Sequence, residues 1–200
     1  MIAIIDYDAG NLKSVEKALA YIGEDPVITR DADTIYRAQR VILPGVGTFG
    51  DCMGRLRSYG LIPVIKEVTA SGVPFLGICL GLQLLFSDSE ESPGHEGLSL
   101  LPGHIIRIPD TGLKIPHIGW NSVEITSGSR IFKDIPDGSY FYFVHSYYLK
   151  ADDEQIVAAT TEYGTTIHAA VESGNVFATQ FHPEKSGEIG LNVLRNFCGI

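Results

Sequence analysis

Residues 73–86 read VPFLGICLGLQLLF, an apolar run that turns abruptly at GICLG and continues with leucines at the spacing of a helix. The apolar run predicts a buried strand, and the leucine spacing predicts a helix after it. A Gly-x-Cys-x-Gly turn between the two is typical of a nucleophile elbow, whose glycines prevent a collision between flanking positions. The stretch therefore predicts that Cys79 stands at the start of a helix, where the helix dipole favours a thiolate.

Apolar runs alternate with helical periodicity along the chain before this stretch. The predicted strands and helices are Met1–Asp6, Leu12–Ile22, Pro26–Thr29, Ala32–Ala38, Val41–Leu43 and a helical region over Met53–Ala70 that breaks near Gly60–Pro63. This alternation predicts an α/β fold with a doubly wound, mostly parallel central sheet and flanking helices. Sites in such sheets lie beyond the carboxyl ends of the strands, where the loop Pro44–Gly50 and Cys79 both fall.

The character of the chain changes after Phe86. A polar loop, Asp88–Gly97, leads into short apolar segments with hairpin turns at Tyr163-Gly164 and Ser173–Asn175, which predict an added antiparallel region. Its predicted strands are Ile105–Ile108, Ser122–Ile125, Tyr140–Val144, Ile156–Thr160, Thr166–Ala170 and Val176–Phe181. A last helix is expected over Glu188–Cys198, with Leu191, Leu194 and Phe197 as its buried stripe. Neither a repeat nor a linker divides the chain, so we expect one domain, residues 1–200.

Composition restricts the class of function. The 200 residues are 44% hydrophobic and carry a net charge of −9 without a basic run, which argues against binding to nucleic acid. Cys52, Cys79 and Cys198 form no disulfide framework, and the first residues lack the features of a signal peptide. The uncharged stretch Val68–Phe86 is interrupted by Ser71-Gly72 and Pro74, so a membrane span is not expected. These features predict a cytoplasmic protein.

A cysteine nucleophile needs an imidazole, and His182 has the most suitable neighbours of the six histidines. Pro183 restricts His182 to extended conformations, in which residues two positions apart point to the same side, about 7 Å apart. Glu184 can then fix the tautomer of His182 and leave the other ring nitrogen for Cys79. A His-Pro-Glu segment alone is more often a strand end beside a solvated loop than a catalytic pair. Because this chain also has the Gly-x-Cys-x-Gly turn, the catalytic interpretation is favoured.

The other histidines and cysteines have weaker claims. His145 is the second candidate base, but no acidic residue stands two positions from it. We expect the segment His117–Asn121 to line the site, with its tryptophan packed in the core. Cys52 and Cys198 are interpreted as small buried hydrophobes, and no spacing indicates a zinc site.

An oxyanion formed by attack on an amide needs two N–H donors. The N–H of Leu80 follows the nucleophile and is one natural donor. The second is predicted in the loop Gly45-Val46-Gly47, where glycines let the backbone approach a substrate. A strand-ending turn also explains the first of these glycines, but explains the second less well.

Together these motifs resemble those of class I (triad-type) glutamine amidotransferases. The match covers the chain from the first strand to the last helix and is specific at GICLGLQ, at PGVG and at FHPE. More narrowly, the chain is similar to the family of glutaminase subunits of imidazole glycerol phosphate synthase. That similarity rests on residues 6–12 (DYDAGNL), 44–49 (PGVGTF), 117–121 (HIGWN), 142–147 (YFVHSY) and 182–187 (HPEKSG).

The resemblance implies a flavodoxin-like fold and the hydrolysis of glutamine to glutamate and ammonia through a thioester on Cys79. It implies the triad Cys79, His182 and Glu184, and an oxyanion hole at Val46, Gly47 and Leu80. Substrate binding is implied for Gly47, Gln83, Ser146 and Tyr147, without a cofactor or a metal. It also implies a (β/α)8-barrel cyclase subunit that receives the ammonia for histidine biosynthesis in a heterodimer, with Asn11 and Lys185 near that partner.

Two other readings use the same residues. A stand-alone cysteine hydrolase, such as a peptidase or γ-glutamyl hydrolase, would keep the triad but need no partner. A non-catalytic binding module would have to carry an intact Cys/His/Glu set without using it. A glutaminase assay of the isolated chain, with and without a barrel partner, separates the three.

Overall fold

The computed structural model describes residues 1–200 and has twelve strands and six α-helices. The strands are β1 (Ile2–Ile5), β2 (Pro26–Thr29), β3 (Arg40–Gly45), β4 (Phe75–Cys79), β5 (Gly103–Arg107), β6 (His117–Ser122), β7 (Glu124–Ile125), β8 (Tyr140–His145), β9 (Tyr147–Ala151), β10 (Val157–Glu162), β11 (Thr166–Ser173) and β12 (Val176–Thr179). The helices are α1 (Leu12–Tyr21), α2 (Ala32–Tyr36), α3 (Phe49–Ser58), α4 (Leu61–Ala70), α5 (Leu80–Gln83) and α6 (Gly187–Cys198), and 3₁₀ turns cover Glu154–Ile156 and Pro183–Lys185. None of the helices is both long and apolar enough to span a membrane.

One large sheet carries both predicted regions. Its order is β2-β1-β3-β4-β12-β11-β10-β7, and the strands from β2 to β12 are parallel while those that follow are antiparallel. Strand β9 pairs with β5 and joins β11, whereas β6 and β8 form a separate two-stranded ribbon. The mostly parallel α/β sheet with an added antiparallel region is therefore confirmed.

The two faces of the sheet bury different sets of side chains because successive residues of a strand point to opposite sides. Along β1, Ala3 and Ile5 belong to one hydrophobic cluster, which also contains the buried residues of α3 and α4. Ile2 and Ile4 belong to a second cluster, which contains those of α1 and α6. This arrangement places the carboxyl ends of β3 and β4 between two helical layers.

Several predicted boundaries are corrected by the structure. The helical region predicted from Met53 begins earlier, at Phe49. Its predicted break is present at Gly60, which has a left-handed backbone (φ 67°) between α3 and α4, whereas Pro63 lies inside α4. The helix after Cys79 is a single turn, because the carbonyls of residues 84–86 accept hydrogen bonds from residues 98–100 instead of continuing a helix. On α6, Leu191 is only partly buried, and Val193 with Cys198 completes the buried stripe.

The segment His117–Asn121 was expected to bury its tryptophan, and this expectation is wrong. It forms the ribbon strand β6, and Ile118 and Trp120 are 54% and 55% exposed. The strand predicted over Ser122–Ile125 is the end of this ribbon followed by the short strand β7. A two-stranded ribbon has one face that the rest of the fold does not cover, and alternate residues of β6 lie on it.

Candidate active site

Cys79 occupies a strained backbone conformation at the junction of β4 and α5. Its φ of 57° with ψ of −110° is unusual for a residue with a side chain, and such strain clusters at active sites. A Cβ on Gly77 would lie 2.7 Å from the carbonyl oxygen of Gly81, and a Cβ on Gly81 would overlap the carbonyl oxygen of Leu43. The glycines flanking Cys79 are thus required by close backbone approach, as the motif predicts.

The loop after β3 lies beside the elbow because Gly45 is the register partner of Cys79 in the parallel pair β3–β4. The two loops open into a cavity of about 450 Å³. Its walls are Val46, Gly47, Cys79, Leu80, Gln83, Glu91, Pro116, Val144, His145, Ser146, Tyr147, His182 and Lys185. Two predicted triad members and every predicted oxyanion and substrate residue thus face one cavity, and the third triad member, Glu184, contacts His182 from behind.

The predicted contact between His182 and Glu184 is present, with 2.8 Å between Nδ1 and Oε1. The conformation that makes it differs from the prediction. His182 is extended (φ −98°, ψ 99°), but Pro183–Lys185 is a 3₁₀ turn rather than a continuing strand, and the turn brings the carboxylate back to the ring. The hydroxyl of Ser186 donates to the backbone carbonyl of His182 (2.6 Å) and holds this turn closed.

The electrostatics of His182 are set by its two neighbours. Burial alone would lower the pKa of the imidazole, but the adjacent Cys79 and Glu184 outweigh it and raise the pKa to about 9. Nε2 of His182 is buried and has no hydrogen-bond partner, while Nδ1 is held by Glu184. His182 is therefore a protonated imidazole at neutral pH, with one ring nitrogen left for chemistry in the cavity.

His145, the second candidate base, has no free ring nitrogen. Its Nδ1 is 2.9 Å from the carbonyl oxygen of Tyr147, and its Nε2 is 3.0 Å from Nδ1 of His117. Burial lowers the pKa of His145 to about 3. Its ring is thus neutral and fully engaged, so it does not compete with His182 as the base.

Gln83 is held by its own amide group. Its Nε2 donates to the carbonyl oxygen of Tyr147 and to Oε1 of Gln180, each at 3.0 Å. Gln180, which the sequence analysis missed, donates from Nε2 to the sulfur of Cys79 at 3.8 Å. This contact places an amide N–H beside the sulfur of Cys79. The signal that could have found Gln180 is its position two residues before His182, at the end of a strand adjacent to β4.

Two buried side chains, those of Tyr7 and Cys52, hold the backbone of the predicted oxyanion loop in place. The hydroxyl of Tyr7 donates to the carbonyl oxygen of Pro44 (2.8 Å), and Sγ of Cys52 contacts the carbonyl oxygen of Val46 (3.5 Å). Gly47 has a φ of 108°, which explains the second glycine of the motif. The N–H of Leu80 is at the first position of α5 and has no acceptor within that helix.

Glu91 is a second residue that the sequence analysis did not select, because it lies inside a polar loop. Its Oε2 accepts a hydrogen bond from the backbone N–H of Phe49 at 2.8 Å, which holds the polar loop at the start of α3. Through this bond Glu91 becomes the acidic side chain of the cavity wall. Only the folding of the loop over the cavity shows this.

The two residues predicted near a partner lie on adjacent elements. Lys185 is at the cavity wall, with Nζ 5.9 Å from the centre of the Tyr142 ring. Asn11 precedes α1, which packs against the 3₁₀ turn that carries Lys185. The three cysteines are unpaired and buried, and no group of three or more acidic, histidine or cysteine residues is arranged to hold a metal.

Comparison with known proteins relates this geometry to a family. A family model described as glutamine amidotransferase class-I matches residues 3–199. A solved structure described as a glutamine amidotransferase has a TM-score of 0.78 at 18% identity and covers 100% of this chain and 98% of that chain. PurLQS from Thermotoga maritima has a TM-score of 0.75 at 21% identity and covers 99% and 97% of the two chains. At these identities the structures show a shared fold.

Sequence relatives are much closer. The imidazole glycerol phosphate synthase subunit HisH of Moorella thermoacetica is 53% identical over 196 residues, which are 98% of this chain and 93% of the relative. The subunit of the same name from Methanothermobacter thermautotrophicus is 52% identical over 200 residues, 100% of this chain and 98% of the relative. The chain therefore belongs to the class-I glutamine amidotransferases and, within them, to the family of imidazole glycerol phosphate synthase subunits HisH.

Proposed function

We propose that this chain, as one domain of residues 1–200, is a glutaminase subunit that hydrolyses glutamine and delivers the ammonia to a cyclase. The observation that carries the proposal is the placement of a strained Cys79 and a buried His182–Glu184 pair at one cavity. A nucleophile, a base and a group that orients the base are the parts that amide hydrolysis through a covalent intermediate requires.

In the first half of the reaction the thiolate of Cys79 attacks the side-chain amide carbon of glutamine. The bond from sulfur to carbon forms as the C=O π electrons move to oxygen, and the N–H groups of Leu80 and of the Val46–Gly47 loop stabilise that oxyanion. His182 then transfers the proton of Nε2 to the amide nitrogen, and the C–N bond breaks to release ammonia. Glu184 stabilises the imidazolium before this transfer and fixes the tautomer after it.

In the second half water hydrolyses the γ-glutamyl thioester. The neutral His182 accepts a proton from water through Nε2 as the oxygen attacks the thioester carbon, and the same donors hold the second oxyanion. The oxyanion then re-forms the C=O bond as the C–S bond breaks, which restores the thiolate beside the imidazolium. The γ-carboxylic acid that is released loses its proton to solvent and becomes glutamate. The high pKa of His182 favours this return to the charged pair.

Substrate recognition is proposed for the polar groups of the cavity wall. Both N–H groups of Gln83 are engaged, so its free Oε1 is the atom offered to the glutamine substrate. The carboxylate of Glu91 complements the α-ammonium group, and the backbone of Gly47, Ser146 and Tyr147 lies on the same wall. These groups would select a free amino acid with a side-chain amide.

We propose a (β/α)8-barrel cyclase as the partner in a cytoplasmic heterodimer, which is consistent with the subunit names of the relatives. Asn11 and Lys185 would lie near the partner. The ribbon adds Ile118 and Trp120, whose exposure is high for large apolar side chains. A partner seated there would cover the cavity mouth near Lys185 and keep ammonia from the solvent.

The test is glutamine-dependent cyclisation by the complex with Cys79→Ala. We expect loss of turnover with glutamine and normal turnover when ammonia is supplied directly. Cys198→Ala, which removes a buried thiol on α6, is the matched control and should keep both activities. Glutamine use that persists in Cys79→Ala would contradict the proposal, and strong activity of the isolated chain, unchanged by any barrel, would favour a stand-alone hydrolase.

A further inference from the structure

Two buried histidines that the proposed reaction does not use form a continuous hydrogen-bonded chain beside the cavity. Nδ1 of His145 is 2.9 Å from the carbonyl oxygen of Tyr147, and Nε2 of His145 is 3.0 Å from Nδ1 of His117. Nε2 of His117 is 3.4 Å from Nδ2 of Asn121, which also donates to the carbonyl oxygen of Glu162 at 2.9 Å. This series of hydrogen bonds thus runs from β10 across the ribbon to the corner between β8 and β9.

The direction of every hydrogen bond in this chain follows from its two ends, which are backbone carbonyls and only accept. Tyr147 requires a proton on Nδ1 of His145, so a neutral His145 accepts at Nε2 from Nδ1 of His117. A neutral His117 in turn accepts at Nε2 from the amide of Asn121. One tautomer of each ring therefore satisfies all the contacts.

The surroundings keep both rings neutral and in place. His117 and His145 are 3% and 6% exposed, and burial lowers the pKa of His117 to about 4 and that of His145 to about 3. The ring of His117 is stacked between Tyr163 and Phe143, with ring centres 4.0 and 4.8 Å away. A protonated ring could not accept its bond, so the neutral state preserves the chain at physiological pH.

The hydrogen-bonded chain of the two histidines ends at the carbonyl oxygen of Tyr147, which also holds the substrate-pocket residue Gln83. The carbonyl oxygen of Tyr147 accepts from Nε2 of Gln83 as well as from His145, and Gln83 in turn contacts Gln180, which donates to the sulfur of Cys79. Ser146 alone separates β8 from β9, so the bond from His145 to Tyr147 closes the corner between these strands. The orientation of Gln83 thus depends on a carbonyl that His145 holds.

We infer that His145 and His117 are positioning residues, which hold the carbonyl of Tyr147 and through it orient Gln83 toward the side-chain amide of the substrate. This inference rests on the proposed glutaminase function. The two histidines contribute to the affinity for glutamine and do not transfer protons, because neither ring has a free nitrogen for the reaction. Loss of the pair should therefore raise KM much more than it lowers kcat.

The test compares His145→Asn with His145→Gln in the complex, with glutamine as the varied substrate. The amide nitrogen of asparagine sits where Nδ1 was and can still donate to Tyr147, whereas that of glutamine sits where Nε2 was and cannot. We expect KM to rise about tenfold in His145→Gln, the effect of one lost hydrogen bond, and less than about threefold in His145→Asn. The kcat of both should stay within about threefold of the wild type.

Further variants make the result independent of folding problems at one site. His117→Leu removes the next link and should also raise KM, while His168→Leu, a half-buried histidine outside the cavity wall, should not. Equal KM values for His145→Asn and His145→Gln, or an unchanged KM in His117→Leu, would overturn the inference. Because Cys79→Ala is assayed in parallel, glutamine turnover that depends on Cys79 leaves the proposed function intact in either case.

Discussion

His182 and Glu184 are joined through Nδ1 and Oε1 at 2.8 Å, with side chains only 3% and 1% exposed. The second carboxylate oxygen of Glu184 is also buried and has no other partner, so the negative charge acts on the imidazole. A carboxylate held in this way orients the ring and stabilises its protonated form. Together with the adjacent Cys79, this carboxylate explains how a buried histidine keeps a pKa of about 9 despite its desolvation.

Glu184→Gln should lower kcat by about 10² to 10⁴-fold, because the uncharged amide no longer stabilises the imidazolium or imposes its tautomer. KM should change little, since Glu184 lies behind the ring and not in the cavity wall. Steady-state kinetics of the complex would measure both. Glu188→Gln, an exposed residue on α6, is the matched control; a similar loss in it would argue against a specific role for Glu184.

The raised pKa of His182 makes stability depend on pH. The folded protein holds this proton more tightly than the unfolded chain, whose histidine pKa is about 6.5. The resulting stabilisation of the folded state is at most about 3 kcal/mol. It is fully present below about pH 6.5 and is lost as the pH rises through about 9. Urea unfolding should show a smaller difference between wild type and His182→Gln at pH 9.5 than at pH 6. A constant difference would mean that the pKa of His182 is not raised.

His117 and His145 make the stability of the folded protein depend on pH in the opposite direction, at acid pH. Their pKa values lie below that of the unfolded chain, so their contribution is present above about pH 6.5 and is lost as the pH falls toward 4 and then 3. The destabilisation caused by His117→Leu should therefore be smaller at pH 5 than at pH 7, by up to about 2 kcal/mol.

His104 provides a control in which the effect of pH on stability should have the opposite sign. It is exposed beside Asp88, which raises the pKa of its imidazole, so the effect of His104→Asn should be larger at pH 5 than at pH 7. Unfolding curves of both variants at both pH values would measure the comparison. The same sign in both variants would rule out the assigned cause.

Gly81→Ala should be severely destabilising, by more than about 3 kcal/mol, because its Cβ would overlap the backbone carbonyl of Leu43 and neither backbone can move without disrupting β3 or α5. Gly54→Ala, inside α3 with open space at its Cβ, should instead stabilise by up to about 1 kcal/mol. Thermal unfolding of the two variants gives the comparison. A fully folded Gly81→Ala protein with normal activity would contradict the close approach of Gly81 to the carbonyl of Leu43.

Local patterns were sufficient to predict much of this protein. The alternation of apolar runs and helical periodicity predicted the parallel α/β sheet, and GICLG predicted the elbow at Cys79, because both depend on neighbours in sequence. The antiparallel region was predicted less well. The ribbon strand β6 was missed because Trp120 was interpreted as a core residue, whereas it is exposed on a ribbon face that the rest of the fold does not cover.

Sequence by itself selected Cys79, His182 and Glu184 as the proposed triad, since these residues lie in short motifs whose spacing suits that chemistry. Tertiary structure alone decided which polar groups surround them. Glu91 and His145 line the cavity, whereas Gln180 and His117 contact residues that line it. All four come from segments far apart in the chain, and their hydrogen bonds exist only once the chain has folded. A contact between distant residues depends on register and loop packing, which no local pattern specifies.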